Sequence, residues 1–92
     1  MKYICVKWKH SNLDDPILLY SEIDEQRMET RKIEIFADDS QGYASIVESI
    51  GTTRLGELPV PELIEISGDP QFEPAEIAKE EFERLWERRK SE

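Results

Sequence analysis

The chain has one cysteine, one histidine and no apolar run of membrane-spanning length. Cys5 alone excludes an intramolecular disulfide and any zinc site of the paired-cysteine type. His10 alone leaves a triad or metal centre without a second imidazole. Met1-Lys2-Tyr3 passes at once into strand-like alternation, without the apolar stretch of a secretory leader, so the expectation is a cytoplasmic protein. Glycine is scarce and holds no phosphate loop. Gly51 and Gly56 stand five apart, but no Lys-Ser/Thr pair follows the second. Residues 38–42 lack the alternating aspartates of an EF-hand. No cofactor and no metal is expected.

Basic residues are also few, 12 against 21 acidic, for a net charge of −9. The imbalance grows along the chain. Residues 1–46 hold six basic and nine acidic groups, and residues 47–92 hold six and twelve. From Glu57 to Glu83 nine carboxylates face Lys79 alone. Such a field repels nucleic acid and anionic membranes and favours basic partners; it also serves plain solubility.

What is present is enough for one domain, residues 1–92, with a single two-layer core. Alternation predicts a four-stranded antiparallel β-meander over about 2–10, 17–23, 28–37 and 43–47. Turn formers separate the strands: Ser11 to Pro16, Asp24-Glu25-Gln26, and Asp38 to Gly42, the last suited to a left-handed glycine. A short helix near 62–66 would place Pro61 in its first turn. The rest of 51–73, rich in glycine and proline, reads as extended chain wrapping the sheet. Ala78, Phe82, Leu85 and Trp86 form the stripe of a C-terminal helix over about 78–90, with Glu80 and Glu81 near its start and Arg84, Arg88, Arg89 and Lys90 near its end, as the helix dipole favours. The fold class is α+β, with Phe82 and Trp86 expected on Ile4, Val6, Ile33 and Ile35.

Several segments resemble a family of bacterial proteins of about this length and of unknown function. They are Met1-Lys2-Tyr3-Ile4 through Trp8-Lys9-His10, Leu19 to Asp24, Arg31 to Phe36 with Gly42-Tyr43-Ala44, Pro59-Val60-Pro61, and Glu80 to Glu83 through Trp86. The resemblance spans nearly the whole chain and implies a stand-alone domain, with no catalytic residue to carry over. Members often carry Ser or Thr at the position of Ala78, which would complete a capping box with Glu81; here that cap is absent.

Each chemistry-bearing residue also suits a commoner role. His10 ends a strand and lacks fellow ligands. Cys5 sits within a strand with Lys7 on its face, thin grounds for a reactive thiolate. Carboxylate pairs are unavoidable among so many acids, and none stands in an apolar pocket. The sharpest constellation is Asp14, Asp15, Asp38 and Asp39, which a four-strand meander brings to one rim. Aspartate is also a preferred turn residue because it caps nearby backbone N–H groups. Glu62, Glu65, Asp69 and Glu73 of the acid-rich stretch complete the candidate partner-binding surface.

Three functions compete. The first is a non-enzymatic acidic binding module, of the inhibitor or immunity type, against a basic protein such as a nuclease toxin. The second is a domain that self-associates, as a homodimer, through a sheet edge or an apolar face. The third is a small enzyme whose site forms only on dimerisation or with a ligand.

Overall fold

The computed structural model describes residues 1–51 and 53–88 and confirms the α+β class, with six strands rather than four. In chain order the elements are β1 (Lys2–Trp8), β2 (Leu18–Ile23), β3 (Glu29–Ile35), β4 (Gln41–Ser45), β5 (Ser49–Ile50), α1 (Leu63–Ile66), β6 (Phe72–Glu76) and α2 (Lys79–Arg88). The sheet order is β5-β4-β3-β2-β1-β6, antiparallel throughout. The expected meander is therefore real, and a strand is added at each edge. β6 lies within the stretch expected as wrapping chain and its continuation. Its sequence, Phe72-Glu73-Pro74-Ala75-Glu76, carries a proline and little apolar character. Pairing with β1, not local propensity, makes it a strand. The expected helix residues Arg89 and Lys90 lie outside the described residues.

Turn chemistry sets the register. Asp24 Oδ1 accepts from the backbone N–H groups of Gln26 and Met28, both at 2.9 Å, and Arg27 takes a positive φ of 65°. Asp38 does the same for Ser40. The left-handed residue there is Asp39, φ 69°, and not Gly42. Gly42 lies inside β4, and a Cβ on it would stand 2.1 Å from Thr53 Oγ1. Its absent side chain makes room for the covering segment.

One register shift matters for everything packed on the sheet. Glu22 pairs with Arg31, but Ile23 pairs with Glu29, so Thr30 is bulged. The bulge reverses the side-chain alternation and turns Glu29 onto the face of Ser21 and Ile23.

Both sheet faces are covered. On the first, Tyr3, Ile33, Phe82 and Trp86 form the core, flanked by Tyr20, Ile35, Tyr43, Ile77 and Leu85. This corrects the expected packing. Ile33 and Ile35 do lie under the helix, but Tyr3 meets it in place of Ile4 and Val6. Both parity sets of β1 are apolar, so alternation alone does not choose between them. The ladder does, since Cys5 pairs with Tyr20, Tyr20 with Ile33, and Ile33 with Tyr43. On the second face Ile4, Ile23 and Ala44 are buried together with Ser21 and Thr53. There the covering layer is residues 53–66. Helix α2 starts one residue after Ala78, whose carbonyl accepts from Glu81 and Phe82 N–H without side-chain help.

Candidate functional site

β1, β3 and the residues leading into β6 bring three loops to one end of the sheet: 9–17, 36–40 and 67–71. Asp14, Asp15, Asp38, Asp39 and Asp69 all belong to these loops. Each loop is built by its own polar atoms. Asn12 Oδ1 accepts from Asp14 N–H at 2.9 Å, and Asn12 Nδ2 donates to Asp15 at 3.1 Å. Asp38 Oδ1 accepts from the Ser40 hydroxyl at 2.6 Å, a bond that holds its carboxyl below its usual range. Asp69 Oδ1 accepts from Gln71 N–H at 3.0 Å. Among the described residues none of these five aspartates forms an ion pair, and no three His, Cys, Asp or Glu side chains converge as metal ligands.

A cation at this end is already engaged. Lys9 pairs with Glu73 at 2.5 Å, which lowers the Glu73 carboxyl. At the same end, Trp8 meets His10 edge-on at 4.5 Å and Phe72 at a tilt at 5.8 Å, between ring centroids. Leu13 projects from the same loop at 79% exposure. Six of the eight acidic candidates thus gather at or beside one rim. The other two do not. Glu62 and Glu65 lie on the second face with α1, and Glu62 pairs with Arg27 at 3.4 Å at the far end of the sheet.

His10 is a fastener of the first loop. Its Nε2 lies 2.8 Å from Pro16 O and its Nδ1 accepts from Asn12 N–H at 3.0 Å. Those two partners assign the neutral ring with the proton on Nε2. Cys5 is half-buried, and burial raises its thiol, with Glu81 adding to the shift. Lys7 does not act on it as an activating charge would have to. The Tyr20 hydroxyl is pushed up to about 12 by burial first and then by Cys5.

The strongest electrostatic constellation is one that sequence reasoning missed. Arg31 donates to Glu22 at 2.9 and 2.5 Å and to Glu83 at 2.9 Å twice. Its guanidinium lies 5.0 Å from the Phe82 ring centroid and 5.1 Å from that of Trp86, rings that stack on each other. Thr30 Oγ1 adds a 2.7 Å bond to Glu22, and Tyr3 donates to the same carboxylate. Glu22 is 7% exposed. Arg31 chiefly, with Thr30 and Tyr3, holds its carboxyl down to about 2 against the opposing effect of burial. Burial and Glu22 raise Tyr3, and Arg31 is raised by its two carboxylates. The hairpin turning at 24–28 sets Glu22 opposite Arg31, a register that alternation along either strand does not disclose. A second network sits on the other face, where Glu29 accepts from Ser21 at 2.8 Å and from Gly56 N–H at 2.6 Å. The carboxylates of these networks each meet a cation, Arg31 for Glu22 and Glu83 and Lys32 for Glu29, and the networks hold the fold.

No helix among the described residues is long and apolar enough to cross a membrane. No curated protein and no solved structure matches the chain. A family model described as a domain of unknown function, DUF6881, matches residues 2–91.

Proposed function

Because the chain belongs to this family of domains of unknown function, we propose a role read from its surface: a non-enzymatic acidic module that binds a basic protein in the bacterial cytoplasm. The observation that carries this reading is the rim itself. Three loops of one sheet end present Asp14, Asp15, Asp38, Asp39 and Asp69, none of them in an ion pair among the described residues, while Lys9 is already held by Glu73. Carboxylates arranged this way steer a cationic surface toward contact and mimic a row of phosphates. Trp8, Phe72 and Leu13 beside them supply apolar anchors of the kind that dominate binding energy. A nuclease toxin is a target of the right chemistry, and the module would then act as its inhibitor or immunity protein.

The competing enzyme reading draws no support from Cys5, which burial keeps protonated, or from His10, whose two ring nitrogens are engaged in the loop. The test is affinity capture from the native cell followed by association kinetics on the captured protein. A basic partner is expected, with an association rate that falls steeply between low and high salt and that drops on combining Asp14→Asn, Asp15→Asn, Asp38→Asn and Asp39→Asn. Capture of no basic protein, or an association rate indifferent to salt, sinks the reading.

A further inference from the structure

At the opposite end of the sheet, β4 turns into β5 through Ile46-Val47-Glu48. β-branched aliphatics are unfavoured at hairpin tips, where Asn, Asp and Gly are the usual residues. Ile46 is 79% exposed and Val47 89%. The turn does not need their side chains. Ser45 N–H donates to Glu48 O at 2.7 Å, and Ser45 Oγ accepts from Val47 N–H at 3.3 Å. Ile50 follows at 48% exposure, and Leu55, Arg54 and Glu57 line the same depression as the tip.

The sheet edges offer no alternative route to association. Ile77 N–H donates to Tyr3 O and Lys9 N–H to Gln71 O, so Ala75 and Glu73 face β1 and Pro74 faces outward on the free side. Proline removes the central donor of that edge. The other edge strand, β5, has two residues.

Charge then selects the occupant. An interface between identical copies must complement itself. The aspartate rim carries one sign and repels its own copy. The hairpin patch carries both, with Arg54 beside Glu48 and Glu57. Arg54 Nη1 is held by Gly51 O at 3.2 Å and Thr53 O at 2.8 Å, and Arg54 makes no ion pair among the described residues. We propose that this end is the contact for a second copy of the chain. Ile46 and Val47 pack about a two-fold axis, Arg54 of each copy meets the Glu57 carboxylate of the other, and the two aspartate rims sit at opposite poles. The proposal is independent of the rim's role, since it uses the other end of the sheet and needs no foreign partner.

Sedimentation velocity tests it. The expected result is a mass that rises from monomer to dimer between about 1 μM and about 1 mM. Ile46→Glu with Val47→Glu, both at exposed positions, should leave the circular dichroism spectrum unchanged and weaken dimerisation by tenfold or more, on the order of a lost anchor residue. Arg54→Glu and Glu57→Arg should each weaken it, and an equimolar mixture of the two variants should restore it as a heterodimer. A wild-type chain that stays monomeric throughout, or a double variant that dimerises as well as wild type, overturns the proposal. A mixture that fails to recover overturns the assigned charge pair.

Discussion

On one face of the sheet a ten-residue helix lays Phe82 and Trp86 over Tyr3 and Ile33. On the other, residues 53–66, of which four are helical, are tied down by side chains of β3 and of the turn that precedes it. Glu34 accepts from Thr53 Oγ1 at 2.7 Å, Glu29 from Gly56 N–H, and Arg27 donates to the carbonyls of Val60 and Pro61 at 2.7 and 2.8 Å. The difference follows from backbone hydrogen bonding. A helix satisfies most of its own amides and can offer a purely apolar stripe. An irregular segment brings unpaired N–H and C=O groups to a buried surface, and these must be met by partners. Glu29 and Glu34 of β3, with Arg27 of the turn before it, therefore reach toward the second face, while Tyr3, Tyr20 and Tyr43 lie under the helix on the first beside the Arg31 network.

That contrast can be broken from either side, and the largest effect belongs to the helix. Trp86→Ala is expected to cost about 3–5 kcal/mol, a large share of a typical domain stability of about 5–15. Chemical denaturation reads it, and an unchanged midpoint would defeat the packing described for α2. Next comes the ion network beneath the same helix. Glu22→Gln leaves Arg31 with Glu83 alone and should cost about 2–4 kcal/mol at neutral pH. The Glu22 carboxyl sits below its unfolded value, so its contribution is complete above the ordinary carboxylate range. That contribution fades as pH falls toward about 2. The wild-type and variant stabilities should accordingly converge in acid; a difference that persists unchanged at low pH would show that charge is not the cause.

The smallest of the three sharpens the account of the second face. Gly42→Ala drives a methyl into Thr53 Oγ1 and should cost about 1–3 kcal/mol through overpacking. Combining it with Thr53→Ala should cost less than the sum of the two single changes, because both act on one contact. Strict additivity in that cycle would mean that Thr53 does not occupy the space that glycine leaves.

How far the sequence disclosed this molecule depends on the range of the interactions involved. β1 to β4 and α2 are legible because period-2 and period-3.6 patterns and turn residues are local. β6 is not, since a strand containing Pro74 exists only because β1 is available far back in the chain. The aspartates of the rim were readable as turn formers, and their common end follows from up-and-down topology. Glu22 and Glu29 were not readable as buried. An isolated carboxylate in an alternating strand looks like a solvent-facing residue until the ladder sets Arg31 opposite it, or a bulge turns it inward. Gly42 misled in the same way: a glycine after a turn suggests a positive φ, and only the tertiary approach of Thr53 gives its actual reason.

The placement of β6 also bears on the order in which the chain matures. Strands β1 to β5 are joined by short connections, so four neighbouring pairs form from nearby residues. β1 acquires its second neighbour only when Phe72–Glu76 arrives, pairing Ile4 with Glu76 and Trp8 with Phe72. Until Phe72–Glu76 and α2 are in place, the outer hydrogen-bonding edge of β1 and the apolar flank of Tyr3 stay uncovered. A nascent meander of this kind is a template for mispairing with its neighbours on a polysome. The final strand and helix serve in that sense as a built-in late chaperone for the first strand.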